Sequence, residues 1–348
     1  MSYIFHFLKK LLDFFSFCDI LLLKTEMERK NVMIDKILYD RIKGMIYGLV
    51  VGDCLGAGIE FSDKDNHPFI KDYQNGGPHN LRAGDWTDDT AMTLAVMDSI
   101  VCCHGTVNAD DIMDKFCEWF KKGKYSSNGY CFDIGFSTSS ALNHHLINRE
   151  YNLHYKPNQI ESKGNGSIMR LAPTVVYDFL KNDNHYTKTI EVSNLTHENG
   201  YVQNVVDKMC CVLFSNLKGE KTEIQSIYKE RKEVSNGGLA MNTFNAALWA
   251  FNSTSNFEDG MLAAVNLGGD SDTIGAVYGQ IAGAYYGYDA IPDRWKERII
   301  EKVFIDNLFN NMIKVLEEKE TQKWQPKEKK FCRSFAEKVK VLLKHLKR

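Results

Sequence analysis

Between residues 36 and 316 the apolar positions recur at helical spacing and strict alternation is rare, so the pattern predicts helices joined by polar loops and an all-α fold. Polar stretches with turn residues at 62–84, 123–135, 148–167 and 252–260 are predicted as loops, the usual home of binding groups in a helical frame. Two of the predicted helices carry glycine at every fourth position: Gly44, Gly48, Gly52 and Gly56 in one, Gly275, Gly279, Gly283 and Gly287 in the other. Glycine inside a helix costs up to about 1 kcal/mol relative to alanine. A stripe of four therefore predicts a compensating gain, most simply a groove in which a second backbone packs at close range. In lipid such stripes mark dimerising spans, but Asp53 and the short apolar lengths favour the central helices of a water-soluble bundle. Stripes that face each other would bring Gly52–Glu60 toward Asp270–Thr273.

The two ends follow other patterns. Residues 1–35 hold the apolar groups Ile4-Phe5, Leu11-Leu12, Phe14-Phe15 and Ile20–Leu23, interrupted by Lys9, Lys10, Asp13 and Asp19. Those charges argue against a membrane span or a signal segment. An amphipathic helical extension packed on the body is expected, with attachment to a membrane surface as the alternative. The stretch 317–348 reads as a basic helical extension: residues 321–348 contain ten Lys or Arg against two Glu, and Phe331, Phe335, Val339, Leu342 and Leu346 recur at helical spacing. Docking on the domain with a solvated basic face is expected. A nucleic acid, membrane or partner protein is the alternative occupant. The body between the extensions is expected to be one domain, 36–316.

Composition narrows the class. The chain has 348 residues, 44% hydrophobic and 25% charged, with a formal net charge of −2, which suits a globular enzyme and gives no overall nucleic-acid footprint. Nine cysteines, an odd count without C-x-x-C spacing, read as core fillers in a reducing compartment, cytoplasmic or nuclear.

The chemistry concentrates in two short clusters, Thr87-Asp88-Asp89 and Asp270-Ser271-Asp272-Thr273, each at the start of a predicted helix. Carboxylate and hydroxyl oxygens without His or Cys beside them are the donors a hard divalent cation prefers. Asp, Ser and Thr also cap helix N-termini, where negative charge is stabilising by roughly 0.3–1 kcal/mol. Two alternating Asp with a Thr exceed what one cap uses, however, and surplus carboxylates repel unless a cation lies between them. The pair of clusters therefore points to metal.

Four further segments carry polar chemistry: Val51–Phe61 with Asp53 and Glu60 at the end of a glycine-striped helix, Ser126–Leu142 with Asp133-Ile134-Gly135, the glycine-punctuated loop Ser162–Arg170, and Ser193–His197. The loop is suited to offering backbone N–H groups to phosphate. In chain order the motifs read G-D-C-L-G-x-x-x-E, W-T-D-D-T, D-I-G, G-N-G-x-x-M-R, S-x-x-T-H and G-G-D-S-D-T-x-G-A. This series resembles the ADP-ribosylglycohydrolase family, which includes the dinitrogenase-reductase-activating glycohydrolases, over roughly residues 36–300.

The resemblance implies a compact all-α bundle with a binuclear site for two Mg²⁺ (or Mn²⁺) in a central cleft, removing ADP-ribose from a modified protein side chain or a small conjugate. It implies that Thr87, Asp88, Asp89, Asp270, Asp272 and Thr273 hold the metals and that Glu60 is the catalytic or gating acid. Asp133 would lie near the ribose, Ser162 and Gly164, Asn165, Gly166, Ser167, Ile168 and Met169 would form the diphosphate loop, and His197 would lie near the adenine-side ribose. Cleavage at an anomeric carbon needs ribose hydroxyls held rigidly, a water delivered and the leaving group protonated. Glu60 is the leading acid/base candidate on that chemistry, with Asp272 second. A monomer that does not span a membrane is expected. The alternative is a catalytically silent ADP-ribose-binding or structural protein on the same fold.

Overall fold

The computed structural model describes residues 34–150 and 162–322, and among them twelve α-helices and no named strand. The expected extensions, apart from the segments 34–35 and 317–322, lie outside the described residues. In chain order the helices are α1 (Lys36–Gly56), α2 (Asp88–Cys102), α3 (Ala109–Lys122), α4 (Phe136–Glu150), α5 (Ala172–Leu180) and α6 (Thr187–His197). They continue with α7 (Gly200–Lys218), α8 (Ala240–Ser253), α9 (Phe257–Val265), α10 (Ser271–Tyr286), α11 (Asp293–Lys296) and α12 (Lys302–Gln322). Local signals set several boundaries. The Asp35 carboxylate accepts the Leu38 N–H to start α1, Asn108 does the same for α3 and Asn199 for α7, while α3 and α7 stop at left-handed Gly123 and Gly219.

α1 and α10 form the centre and run antiparallel, as the expected facing stripes require. Gly44 lies against Gly283, Gly48 against Gly279 and Gly52 against Gly275; a Cβ on Gly48 would stand 2.3 Å from the Gly279 carbonyl oxygen. Backbone meets backbone along this seam, and no larger residue fits. Gly56 closes the row against Ser271, whose hydroxyl donates to the Gly56 carbonyl at 2.8 Å. The fourth glycine of the second stripe departs from the expectation: Gly287 lies past the end of α10 with φ +85°, a terminating residue rather than a helical one. Around this pair α7, α8 and α9 cover α10, and α2 packs on α1 with α3 and α12 outside it. α4, α5 and α6 complete the shell.

Two loop expectations hold in position, 62–84 and 123–135 being irregular; of the loop expected over 148–167, residues 148–150 instead finish α4, 151–161 lie outside the described residues, and 162–167 precede a short 3-10 turn at Ile168–Arg170. The loop expected over 252–260 shrinks to residues 254–256, because Asn256 caps α9 and Phe257 buries its ring beside Tyr278. Its polar residues are a cap and a solvated face. A longer segment that the pattern did not single out, residues 219–239, is irregular apart from a 3-10 turn at Arg231–Glu233 and reaches the site described below through Asn236 and Gly238. Of the seven described cysteines all are free, with Cys54, Cys117 and Cys210 buried as core fillers but Cys102 and Cys211 exposed. No helix among the described residues is long and apolar enough to cross a membrane.

Candidate active site

The N-terminal ends of α2 and α10 and the C-terminal end of α1 converge on one cavity of about 330 Å³. The two acidic clusters, 183 positions apart in sequence, meet there directly: the Thr273 hydroxyl lies 3.5 Å from Asp89 Oδ2. Asp88, Asp270, Asp272 and Thr273 line the cavity with Glu60 and Asp133. Asp89 lies behind them, fully buried. Neither Thr87 nor Asp270, the N-cap residues of α2 and α10, makes a side-chain capping bond, so capping does not account for the clusters.

The capping of α2 comes from another helix. Asp53 of α1 accepts the N–H groups of Thr87 and Thr90 and the Thr87 hydroxyl, each at 2.9 Å. Thr87, implied as a metal ligand, is therefore engaged behind the cavity, its hydroxyl also 3.3 Å from Asp89 Oδ2. Burial pushes the Asp53 carboxyl up to about 6 even though these donors favour its charged form.

Glu60 is fixed by the turn that leads into α10. Phe61 N–H donates to the Gly269 carbonyl and Gly269 N–H to the Ser62 carbonyl, both at 2.7 Å, clamping the end of α1 to the Gly268-Gly269 turn. That turn needs glycine: both residues have φ near +64°, and a Cβ on Gly269 would meet the Asn236 carbonyl at 2.3 Å. Phe61 itself is left-handed at φ +61° and Asp133 at φ +59°, strain of the kind that collects at functional sites. As a result Glu60, Asp270 and Asp272 each place a carboxylate oxygen within 4.8 Å of the others.

So many buried acids cannot all ionise. Burial, and then Asp133, Asp270 and Asp53, push Glu60 up to about 9. Asp88, Asp89 and Asp272 are held well above the usual carboxylate range by burial and by their acidic neighbours. Asp89 Oδ1 and Asp272 Oδ1 are buried without a hydrogen-bond partner among the described residues. An oxygen cluster with orphaned acceptors and excess negative charge fits a hard divalent cation.

The opposite wall is the loop 162–167. Ser162, Gly164, Asn165, Gly166 and Met169 line the cavity with His197. Ser167 and Ile168 do not: Ser167 receives the Ser193 hydroxyl at 2.9 Å in the interior, and Ile168 is part of the core. Four loop N–H groups are used internally. Gly164 donates to Ser162 Oγ at 3.2 Å, Asn165 to the Gly238 carbonyl at 3.1 Å, and Ile168 and Met169 to the Asn165 carbonyl. The N–H groups of Gly166 and Ser167 have no acceptor among the described residues, and of the two only Gly166 borders the cavity, so the loop presents fewer free donors there than its glycine pattern suggests. Asn165 instead donates through its side chain to Asp270 Oδ2 at 2.7 Å, tying the loop to the acidic wall.

His79 was not anticipated. It sits on the turn between Gly76 and Leu81, with Nε2 3.4 Å from Glu60 and 3.2 Å from Asp133. Gly238 and the exposed rim residues Phe61 and Phe136 also line the cavity without having been chosen as site residues, and Asp53 supports it from behind through Thr87 and Thr90. Only the turn signal Gly76-Gly77-Pro78 marked the His79 region, and it says nothing of the acids it meets.

The ADP-ribosylglycohydrolase family model matches residues 35–206 and 202–325. The chain belongs to the ADP-ribosylglycohydrolase family. It is 33% identical to the ADP-ribosylarginine hydrolase Tri1 of Serratia proteamaculans, over 77% of this chain and 78% of that one. It is 26% identical to the ADP-ribosyl-(dinitrogen reductase) glycohydrolase of Rhodospirillum rubrum, over 76% of this chain and 92% of the relative. A solved ADP-ribosylglycohydrolase-related protein complex superposes with a TM-score of 0.68 at 31% identity, covering 81% of this chain and all of that one. The fold and the glycosidic-hydrolase class expected from the motifs are those of the family.

Proposed function

We propose that this ADP-ribosylglycohydrolase releases ADP-ribose from a modified protein side chain, with arginine as the attachment point, and that two Mg²⁺ (or Mn²⁺) ions are needed. The observation that carries the reading is the pair of buried, donor-less carboxylate oxygens, Asp272 Oδ1 in the cavity wall with Glu60 and Asp89 Oδ1 just behind it. Arginine as the leaving group rests on the 33% identity to a protein named an ADP-ribosylarginine hydrolase.

Asp88, Asp89, Asp270, Asp272 and Thr273 would hold the ions, with Thr87 supporting from behind. Bound there, the ions would bind vicinal ribose hydroxyls and lower the pKa of a bound water. The chain's own residues supply the rest. Glu60, whose carboxyl is pushed up by burial and by its acidic neighbours before any ion binds, is placed in the cavity to protonate the leaving nitrogen. Asp133, held beside Glu60 by His79, is placed to accept a ribose hydroxyl, and the loop 162–167 offers the Gly166 N–H group to the diphosphate. Asn165 keeps that loop in register with Asp270.

Incubation with arginine-linked and serine-linked ADP-ribosylated peptides, with Mg²⁺ or EDTA, tests the reading. Free ADP-ribose from the arginine peptide, abolished by EDTA, is expected. AMP as product would mean diphosphate cleavage, and ADP-ribose from serine peptides alone would reassign the leaving group.

A further inference from the structure

Behind the phosphate-side loop lies a buried cation that the acid chemistry does not use. Arg170 is 1% exposed, its guanidinium stacked 4.9 Å from the Phe116 ring centre. Its Nη1 donates to the Gly166 carbonyl and its Nη2 to Thr196 Oγ1 at 2.7 Å. Thr196 Oγ1 in turn lies 2.8 Å from His197 Nδ1. We propose that Arg170 and Thr196 are positioning residues that set His197 as a neutral imidazole with its proton on Nε2, presenting a hydrogen-bond donor to an acceptor oxygen of the bound ligand. The proposal rests on the reading of the cavity as an ADP-ribose site.

The direction of the relay follows from donor counting. A guanidinium has donors and no acceptor, so Thr196 Oγ1 must accept from Arg170. The hydroxyl has one proton of its own, and the contact left for it is His197 Nδ1. The reverse direction, with Oγ1 accepting from an Nδ1–H as well, would leave the buried hydroxyl proton without an acceptor among the described residues, so Nδ1 is the bare nitrogen and the ring proton resides on Nε2. His197 is 3% exposed, and burial together with the neighbouring Arg170 charge pushes it down to about 3, so the ring stays neutral at working pH.

The loop leaves the Nε2 edge uncovered by necessity. A Cβ on Gly166 would stand 2.9 Å from His197 Cε1 and 3.2 Å from Nε2, and one on Gly164 3.5 Å from Nε2. Both glycines and His197 line the cavity. Arg170 thus ties the Gly166 backbone and the His197 tautomer to one rigid group. A ligand bearing an acceptor oxygen at that edge is favoured, and one presenting only a donor is rejected.

Protein labelled with ¹⁵N-histidine, with His197→Gln to assign the signal, reports the tautomer through long-range proton–nitrogen correlation. The wild type and Thr196→Ser should show Nδ1 bare and Nε2 protonated from pH 5 to 9. Thr196→Val, which keeps shape and loses the hydroxyl, should give a mixed or reversed tautomer. Its affinity for ADP-ribose should drop roughly 10-fold, the ordinary worth of one such bond, with the serine variant restoring it. Titration with ADP as a second probe locates the acceptor: a loss shared with ADP supports an acceptor in the ADP half, and a loss seen only with ADP-ribose supports one in the terminal ribose. An Nδ1–H tautomer in the wild type, an unchanged tautomer in Thr196→Val, or undiminished binding of both probes overturns the proposal. Wild-type protein that shows the tautomer and binds no ADP-ribose would instead overturn the functional reading while the relay itself stood.

Discussion

Replacing Gly48 by alanine tests whether the seam between α1 and α10 positions the site. Helix propensity alone favours the change by up to about 1 kcal/mol. The seam opposes it: the new Cβ would stand 2.3 Å from the Gly279 oxygen and 2.9 Å from its carbonyl carbon, where ordinary contact begins at 3.4 Å. Because both obstacles are backbone, the helices must separate by about 1 Å, which also loosens the contacts of Gly44 and Gly52. Overpacking of this kind costs about 1–3 kcal/mol and more when no side chain can yield. A net loss of about 2 kcal/mol is expected, or a melting temperature lower by roughly 4–8 °C. Glu60 trails α1 while Asp270 and Asp272 lead α10, so the same shift spreads a carboxylate group now within 4.8 Å. Turnover should fall by up to about 10², as misplacement by about 1 Å can cause. Gly200→Ala is the control: it stands at the first position of α7 with nothing within 4 Å of a new Cβ, so stability should hold or rise by less than about 1 kcal/mol. Calorimetric melts and turnover on both variants decide the matter. A Gly48→Ala protein that melts at or above the wild type, or a Gly200→Ala protein that falls equally, would refute the reasoning.

Asp272→Asn removes a crowded buried charge and keeps its shape, so divalent-cation binding by titration calorimetry should be lost while the metal-free protein melts no lower than the wild type; an unfolded product would make Asp272 structural. For Glu60→Gln, ADP-ribose should still bind while turnover drops roughly 10²–10⁴-fold, the usual worth of a general acid or base; full activity would move that role to another group. Glu60 and Asp53 have folded values of about 9 and about 6, both above the unfolded range near 4. The folded state then binds more protons than the unfolded one, so metal-free stability should fall as pH rises from about 5 toward 9, and added Mg²⁺ should restore most at the alkaline end. Melts in EDTA that stay flat or climb over that range would contradict the assigned burial. Deleting residues 323–348 should lower solubility or stability and leave hydrolysis per molecule of a small ADP-ribosyl substrate unchanged; salt-sensitive binding to nucleic acid or anionic vesicles, lost on deletion, would favour the alternative reading of that basic stretch.

Much of the frame was readable because its signals are local. Helical periodicity, caps such as Asp35 and Asn108, and stops at Gly123 and Gly219 act over a single turn of chain. The two glycine stripes are the unusual case in which sequence also named a partner: only a second backbone can occupy a groove without side chains, so two matching stripes imply each other. The acidic clusters likewise revealed too many carboxylates for two caps. Tertiary structure decided what periodicity cannot encode, namely which distant groups meet and how dry their meeting place is. It turned Asp53 into the cap of α2, brought His79 between Glu60 and Asp133, and carried Asn236 and Gly238 in from an unremarked loop. It also sent Ser167 and Ile168 inward and left Gly166 at the surface of the cavity. Protonation belongs to the same class: a carboxyl is an ordinary acid in the chain, and only burial among other acids raises Glu60 into the range where it can donate a proton.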